Sequence, residues 1–258
     1  MFAEAIVRDV PETLDAGITS ADLGRPDHVV AVAQHLRYIQ ALEECGLEVR
    51  AVAADEKYPD SVFIEDTAVV TARCAILARP GADRRQGEVH GVEEVLYGRY
   101  GNLESIIDPG TLDGGDVLQV GDHFYIGLTS RTNPEGARQL SEILGGYGYG
   151  SSRVESREYL HLKSGVSYLG DGILVVAGKL ATDGEFVGFD KIVAEAHEEY
   201  SANCIRINDY ILVPAGFQRT KAQIAARGYE LFELEMSEFR KVDGVLSCLS
   251  LRLPGRGP

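Results

Sequence analysis

Cys248, in KVDGVLSCLSLRL, is a side chain able to attack a carbon centre. Read as a strand, that segment alternates so that Leu246, Cys248, Ser250 and Arg252 share one face while Val245, Ser247, Leu249 and Leu251 share the other. Polar neighbours suit a functional thiol, yet a free cysteine is as readily a small buried hydrophobe. His161 opens the apolar run of HLKSGVSYL, either as a general acid and base or as a hydrogen-bonded structural residue. Asp60, Glu65 and Asp66 surround Val62, Phe63 and Ile64, read as a short buried strand. Carboxylates at the end of such a strand want a cation, because an unpaired buried carboxylate is costly; a solvated face is the plainer alternative. Asp113 and Asp116 flank Gly114 and Gly115, a pair that permits close ligand approach or simply a turn. Cys45, Cys74 and Cys204 form no CxxC pair and have no histidine at zinc-finger spacing, so no metal site is expected; Cys74 and Cys204 lie in apolar runs and read as core.

The elements that must position these residues follow one grammar. In GGDVLQVGDHFYIGLTSRTNPEGARQLSEILGGYG two apolar strands meet at Gly121-Asp122, after which Asn133 and Pro134 start a helix that stops at Gly145. Looser copies turn at Gly170-Asp171-Gly172 and at Asn208-Asp209, and a strand pair brackets Cys74. Polar starts near Asp66, Asp113, His161, Asn203 and Asp243 recur at intervals of roughly 40 to 50 residues, a repeat length of blade-like folds. The alternative is a plain α/β sheet. Blades predict something sharper, since their starts converge on an axis and would gather Asp66, Asp113, His161 and Cys248. DHVVAVAQHLRYIQALEECG predicts a helix with Val29, Val32, Leu36, Ile39 and Leu42 on its apolar face and His35 at the surface or its boundary. The Gly- and Ser-rich stretch 145–156 reads as a loop, and with no linker in sight the whole of 1–258 is expected to be one domain.

The formal charge of -15 opposes nucleic-acid binding, and no basic stripe offsets it. No run of eighteen apolar residues occurs, and the N-terminus lacks the apolar core of a signal peptide, which predicts a cytoplasmic protein without membrane contact.

Taken in order, PDSVFIEDTAVV, ARPGADRR, TLDGGDVL, GLTSRTN, HLKS, ANCI and KVDGVLSCLSL resemble the dimethylarginine dimethylaminohydrolase family of guanidino-modifying penteins, across residues 60–252. The resemblance implies an α/β fold, a five-bladed propeller of strand-strand-helix-strand repeats. It also implies hydrolysis of asymmetric dimethylarginine and monomethylarginine to L-citrulline and dimethylamine or methylamine, through a covalent thiouronium and without a cofactor. By the same resemblance Cys248 is the nucleophile, His161 the general acid and base, and Asp113 their acidic partner, where some relatives have Glu. Asp60, Glu65 and Asp66 would bind substrate, with Asp66 closest to the guanidinium. Arg85 and Arg131 would take the α-carboxylate, and the carbonyls of Ile18 and Val242 the α-amino group. A short arginine deiminase, a hydrolase of another small guanidine, and a catalytically inactive pentein that only binds are the rival readings; both monomer and homodimer are compatible with the sequence.

Overall fold

The computed structural model describes residues 1–255 and arranges its strands in five three-stranded sheets. In chain order the strands are β1 (Phe2–Arg8), β2 (Glu48–Val52), β3 (Ala68–Val70), β4 (Ala75–Leu77), β5 (Glu104–Ser105), β6 (Val117–Val120), β7 (His123–Leu128) and β8 (Gly150–Glu155). They continue with β9 (Val166–Gly170), β10 (Ile173–Val176), β11 (Asp190–Val193), β12 (Ile205–Ile207), β13 (Tyr210–Pro214), β14 (Glu230–Leu234) and β15 (Leu251–Pro254). Each sheet repeats one plan: a first strand antiparallel to a second, which is parallel to a third. A parallel return needs a crossover, and four of the five are made by the helices α1 (His28–Glu44), α2 (His90–Tyr100), α3 (Pro134–Gly146) and α5 (Gln218–Ala225). The fourth blade crosses by short 3-10 turns instead; α4 (Leu162–Gly165) precedes its first strand. This is the expected five-bladed propeller, closed by pairing β15 with β1 in the blade that β2 completes.

The hairpins follow from local chemistry. Gly121 (φ 60°), Asp171 (φ 52°), Gly172 (φ 75°) and Asn208 (φ 53°) adopt the left-handed backbone that two-residue hairpin turns require. The Asn133 side chain accepts a hydrogen bond from Gly136 N (2.7 Å) with Pro134 next in line, which starts α3 where the sequence placed it. Five apolar clusters fill the seams, each shared by two neighbouring blades: Leu251 and Val92 meet in one, Leu118 and Val176 in another. The hydrophobic core is thereby distributed around the axis, and polar groups gather at one end of it.

Several expectations are corrected. A short helical turn precedes every first strand: Ile64–Thr67, Gly114–Asp116, Leu162–Gly165, Ala196–Ala202 and Leu246–Leu249. Cys248 therefore sits in a 3-10 turn before β15, not in an alternating strand, and Val62–Phe63–Ile64 is buried but not extended into a strand. His161 caps α4 instead of opening β9. In such turns adjacent residues diverge by about a third of a turn, so alternation does not set which side they face. Asp243 is not a blade start; it has φ 56° and accepts hydrogen bonds from Ser20. Residues 150–155 of the supposed loop form β8, the third strand of its blade. On α1, Val29 is 77% and Leu36 53% exposed, whereas Ala31, His35, Tyr38, Ala41 and Leu42 are buried. The buried face is chosen by small residues that let the helix approach its neighbours, and His35 lies between Tyr38 and Phe239.

Candidate active site

At one end of the axis the blade-start turns bring Asp66, Asp113, His161 and Cys248 together, although nearly two hundred residues separate the first from the last. His161 Nε2 donates to Asp113 Oδ2 at 3.0 Å and lies 3.8 Å from Asp66 Oδ1. The imidazole also contacts the Cys248 thiol. All four side chains are buried.

Each is fixed by its surroundings. Asp113 Oδ1 accepts from Gly81 N (2.7 Å), Asp66 Oδ1 from Gly115 N (2.9 Å) and Asp66 Oδ2 from Arg85 Nη1 (2.8 Å). The turn after His161 is held by Asp116, whose Oδ1 accepts from Leu162 N and whose Oδ2 accepts from the Thr129 and Thr132 hydroxyls. Burial nevertheless raises the Asp116 carboxyl to about 6. The Cys248 turn is clamped from the adjoining blade: Asn203 Oδ1 accepts from Ser247 N (3.0 Å), while its Nδ2 donates to Ser247 Oγ and to Lys163 O. Sequence reasoning found Asn203 and Asp116 by position but gave neither a task.

Glycines are required where these turns pass one another. A Cβ on Gly114 would lie 2.0 Å from Glu65 O, and one on Gly115 2.7 Å from the His161 ring and 3.0 Å from Asp66 Oδ1. Gly115→Ala is expected to push the imidazole out of line and to reduce kcat by roughly 100-fold, because a misplacement near 1 Å costs about that much. Steady-state kinetics beside an unchanged circular dichroism spectrum would check this.

Electrostatics assign protons. Burial opposes charge on His161, but Asp66, the Asp113 hydrogen bond and the Cys248 contact outweigh it and hold the imidazole well above its ordinary value. His161 is thus an imidazolium at neutral pH. Its charge adds stability that is complete below the unfolded value of about 6.5 and is lost as pH rises through the higher folded value. Burial, together with the charges of Asp66 and Glu65, raises the Cys248 thiol, although His161 pulls the other way. Without a bound cation Cys248 is a thiol. Its alkylation by iodoacetamide is expected to follow a single ionisation above that of an ordinary cysteine, about 8.5; a midpoint near neutrality would contradict this arrangement. Asp66, Asp113 and His161 also have the spacing of a metal-binding group, but they already have partners: Asp66 accepts from Arg85 and Gly115 N, and Asp113 from Gly81 N and His161.

Around this centre lie the other residues singled out from sequence. Asp60 is buried; its Oδ1 accepts from Ile18 N (2.9 Å) and its Oδ2 lies 3.7 Å from Arg84. Ile18 belongs to a segment latched to residues 241–243, where Thr19 Oγ1 donates to Lys241 O and Ser20 N to Asp243 Oδ2. A Cβ on Gly17 would touch both Asp60 and Val242, which brings Ile18 and Val242 to the same rim. Arg85 is buried and committed: Nε and Nη2 donate to Glu88, Nη2 to Phe63 O, and Nη1 to Asp66. That leaves one Nη1 hydrogen of its five. Glu88 was missed in the sequence, where only its position three residues after Arg85 on a helical turn could have signalled it. Arg131, half-exposed, has a buried Nη1 without a partner. Glu65 points elsewhere: Lys163 Nζ (2.6 Å) and Arg252 Nη2 both donate to its Oε1, while Oε2 is buried and unpartnered.

A profile described as eukaryotic N,N dimethylarginine dimethylhydrolase matches residues 26–199. The N(G),N(G)-dimethylarginine dimethylaminohydrolase of Pseudomonas aeruginosa is 46% identical over 253 residues, spanning 98% of this chain and 100% of its own. The chain belongs to the dimethylarginine dimethylaminohydrolase family. Two solved structures of such enzymes superpose with TM-scores of 0.97 at 45% identity, covering 98% of this chain and 100% of each of theirs. One is a cysteine-to-serine variant of the Pseudomonas aeruginosa protein complexed with citrulline, and the other a histidine-to-glycine variant captured as an adduct with S-methyl-L-thiocitrulline. Among the described residues no helix is long and apolar enough to cross a membrane.

Proposed function

We propose that the chain is a single catalytic domain that hydrolyses asymmetric dimethylarginine and monomethylarginine to L-citrulline and dimethylamine or methylamine. The observation that carries this reading is the contact of a buried thiol with an imidazolium between two carboxylates, a centre matched to an organic cation. A guanidinium carbon is a poor electrophile, since its charge is spread over three nitrogens. It therefore needs a thiolate and a proton for the departing amine.

The substrate supplies the first itself. A guanidinium about 4 Å from sulfur, at an effective dielectric near 20, favours the thiolate by about 4 kcal/mol before desolvation, enough to bring the raised thiol down by roughly two to three pKa units. The thiol proton leaves to solvent, and Cys248 Sγ adds to the guanidinium carbon. His161 then protonates the methylated nitrogen, the C–N bond breaks, and a cationic thiouronium remains on sulfur. Neutral His161 takes a proton from water as the oxygen adds to carbon; collapse of that adduct breaks the C–S bond, the hydroxyl proton passes to the departing sulfur, and citrulline and the Cys248 thiol are released. Asp113 keeps the imidazole in line and Asp66 faces the guanidinium.

In the same reading Asp60 and the carbonyls of Ile18 and Val242 receive the α-amino group. Arg131, through its unpartnered Nη1, and Arg85, through its one uncommitted hydrogen, receive the α-carboxylate. Glu65 acts on the guanidinium side only through its charge, which bears on the Cys248 thiol. Arg131→Gln is expected to raise KM and lower kcat/KM by roughly 10- to 100-fold with a smaller effect on kcat, since it removes a charge-assisted bond made before and during the reaction. Four buried free cysteines fit the cytoplasmic location proposed with this activity.

Citrulline release from purified protein given, separately, asymmetric dimethylarginine, monomethylarginine and arginine tests the assignment. Turnover of the methylated substrates is expected. Turnover of arginine alone would make the protein a short deiminase, and silence on all three would leave a binding role.

A further inference from the structure

On the far side of the ring from Cys248 the first strands of the blades enclose a second space, a cavity of about 510 Å³. Its walls are largely apolar, with Val69, Val117, Leu118, Ile205 and Leu251 among them. Its charged lining is of one dominant sign in a chain whose net charge is -15: Lys163, Arg206 and Arg252 against Glu65 alone. Arg206 is answered by Asp171 at 3.3 Å. Lys163 and Arg252 are not: side chains 13% exposed, they share a single oxygen of a single carboxylate, Glu65 Oε1. The remaining Arg252 bonds run to Ser247 O, Ser250 O and Ser250 Oγ, all through Nη1. Two hydrogens of the Lys163 ammonium thus have no acceptor among these bonds, and the guanidinium of Arg252, beside the Tyr38 hydroxyl, has more donors than the acceptors named here. The carboxylates across the ring do not compensate, because Asp66 is bound by Arg85 and Asp113 by His161.

We infer that this axial cavity is a binding site for a small organic carboxylate, its head on Lys163 and Arg252 and its short apolar tail along the inner strands. A planar guanidinium edge beside an ammonium matches a carboxylate head, and a half-buried cation with spare donors gains from an anionic acceptor where water is partly excluded. The apolar walls exclude a preference for a fully hydrated ion and leave room for a chain of a few carbons. The site differs from the α-carboxylate position at Arg131 and does not depend on the hydrolytic reading, since Glu65 and the Cys248 turn lie between them.

The probe is butyrate, added to the full chain at constant ionic strength with citrulline saturating the other site, and the readout is the unfolding temperature. A saturable rise is expected with butyrate and none with butyramide, its neutral counterpart. Lys163→Gln is expected to weaken the effect about tenfold or more, whereas Arg131→Gln, measured without citrulline, is expected to leave it in place. Should Lys163→Gln not fold, 4-bromobutyrate diffused into crystals of the unaltered chain reports the position directly, with bromine expected in the cavity beyond Lys163 and Arg252. No saturable rise, an equal rise with butyramide, full retention in Lys163→Gln, or bromine only near Arg131 would overturn the inference.

Discussion

Serine in place of Cys248 is expected to lower citrulline formation from asymmetric dimethylarginine by about 10^4-fold or more while leaving the fold and substrate binding in place. The substitution is nearly isosteric, and the turn that presents it is held by groups it does not touch: Asn203 on Ser247 N and Arg252 on Ser247 O. What changes is the nucleophile. Electrostatic help worth roughly two to three pKa units brings a thiol to useful ionisation near neutral pH but leaves a hydroxyl un-ionised. Kinetics would read the loss, and equilibrium binding of asymmetric dimethylarginine the retained affinity. Near wild-type hydrolysis by Cys248→Ser would refute the assignment outright.

Removing the imidazole has a different signature, because in the proposed mechanism His161 serves twice. His161→Gly is expected to cut turnover of methylated arginines by roughly 10^2- to 10^4-fold, the usual worth of a positioned acid and base. S-methyl-L-thiocitrulline separates the two duties, since its methylthio group departs without strong need of a proton whereas the subsequent water attack still needs a base. The variant is therefore expected to form the covalent adduct on Cys248 and to hydrolyse it slowly, so that mass spectrometry finds an accumulated thiouronium. The loss should also remove the alkaline limb of the pH profile, which in the intact enzyme reports deprotonation of an imidazolium held well above its ordinary value by Asp66 and Asp113 against the effect of burial. Accumulation in the unaltered enzyme at the same level as in the variant would show that His161 is not the base.

The meeting of Asp66, Asp113, His161 and Cys248 was readable in the sequence because these residues stand at recurring positions, whereas Arg85, Arg131, Ile18 and Val242 entered only through the family resemblance; the hairpins were readable because Gly121-Asp122 and Asn208-Asp209 announce a left-handed turn by composition. The turns that hold the chemistry were not. Leu246–Leu249 and Ile64–Thr67 are four residues each, shorter than any periodic signal, and both look like the strands beside them. Packing direction was equally hidden. The face of α1 that meets the protein is defined by Ala31, Tyr38 and Ala41, so a count of large apolar residues points to Val29 and Leu36, which face outward. Partners such as Glu88, which binds Arg85, are recognisable only once three dimensions show which charge they answer.

The closure of the first blade orders the birth of this enzyme. Of the described strands β1 comes first and β15 last, and they pair in one sheet with Cys248 on the helical turn that leads into β15. A nascent chain can lay down Asp66, Asp113 and His161 early, but the proposed nucleophile comes only with the turn Leu246–Leu249, just before Leu251–Pro254 pair with β1. A chain cut short before Cys248 lacks the attacking atom of the proposed reaction, and one cut between Cys248 and Leu251 holds it without the strand that closes the blade.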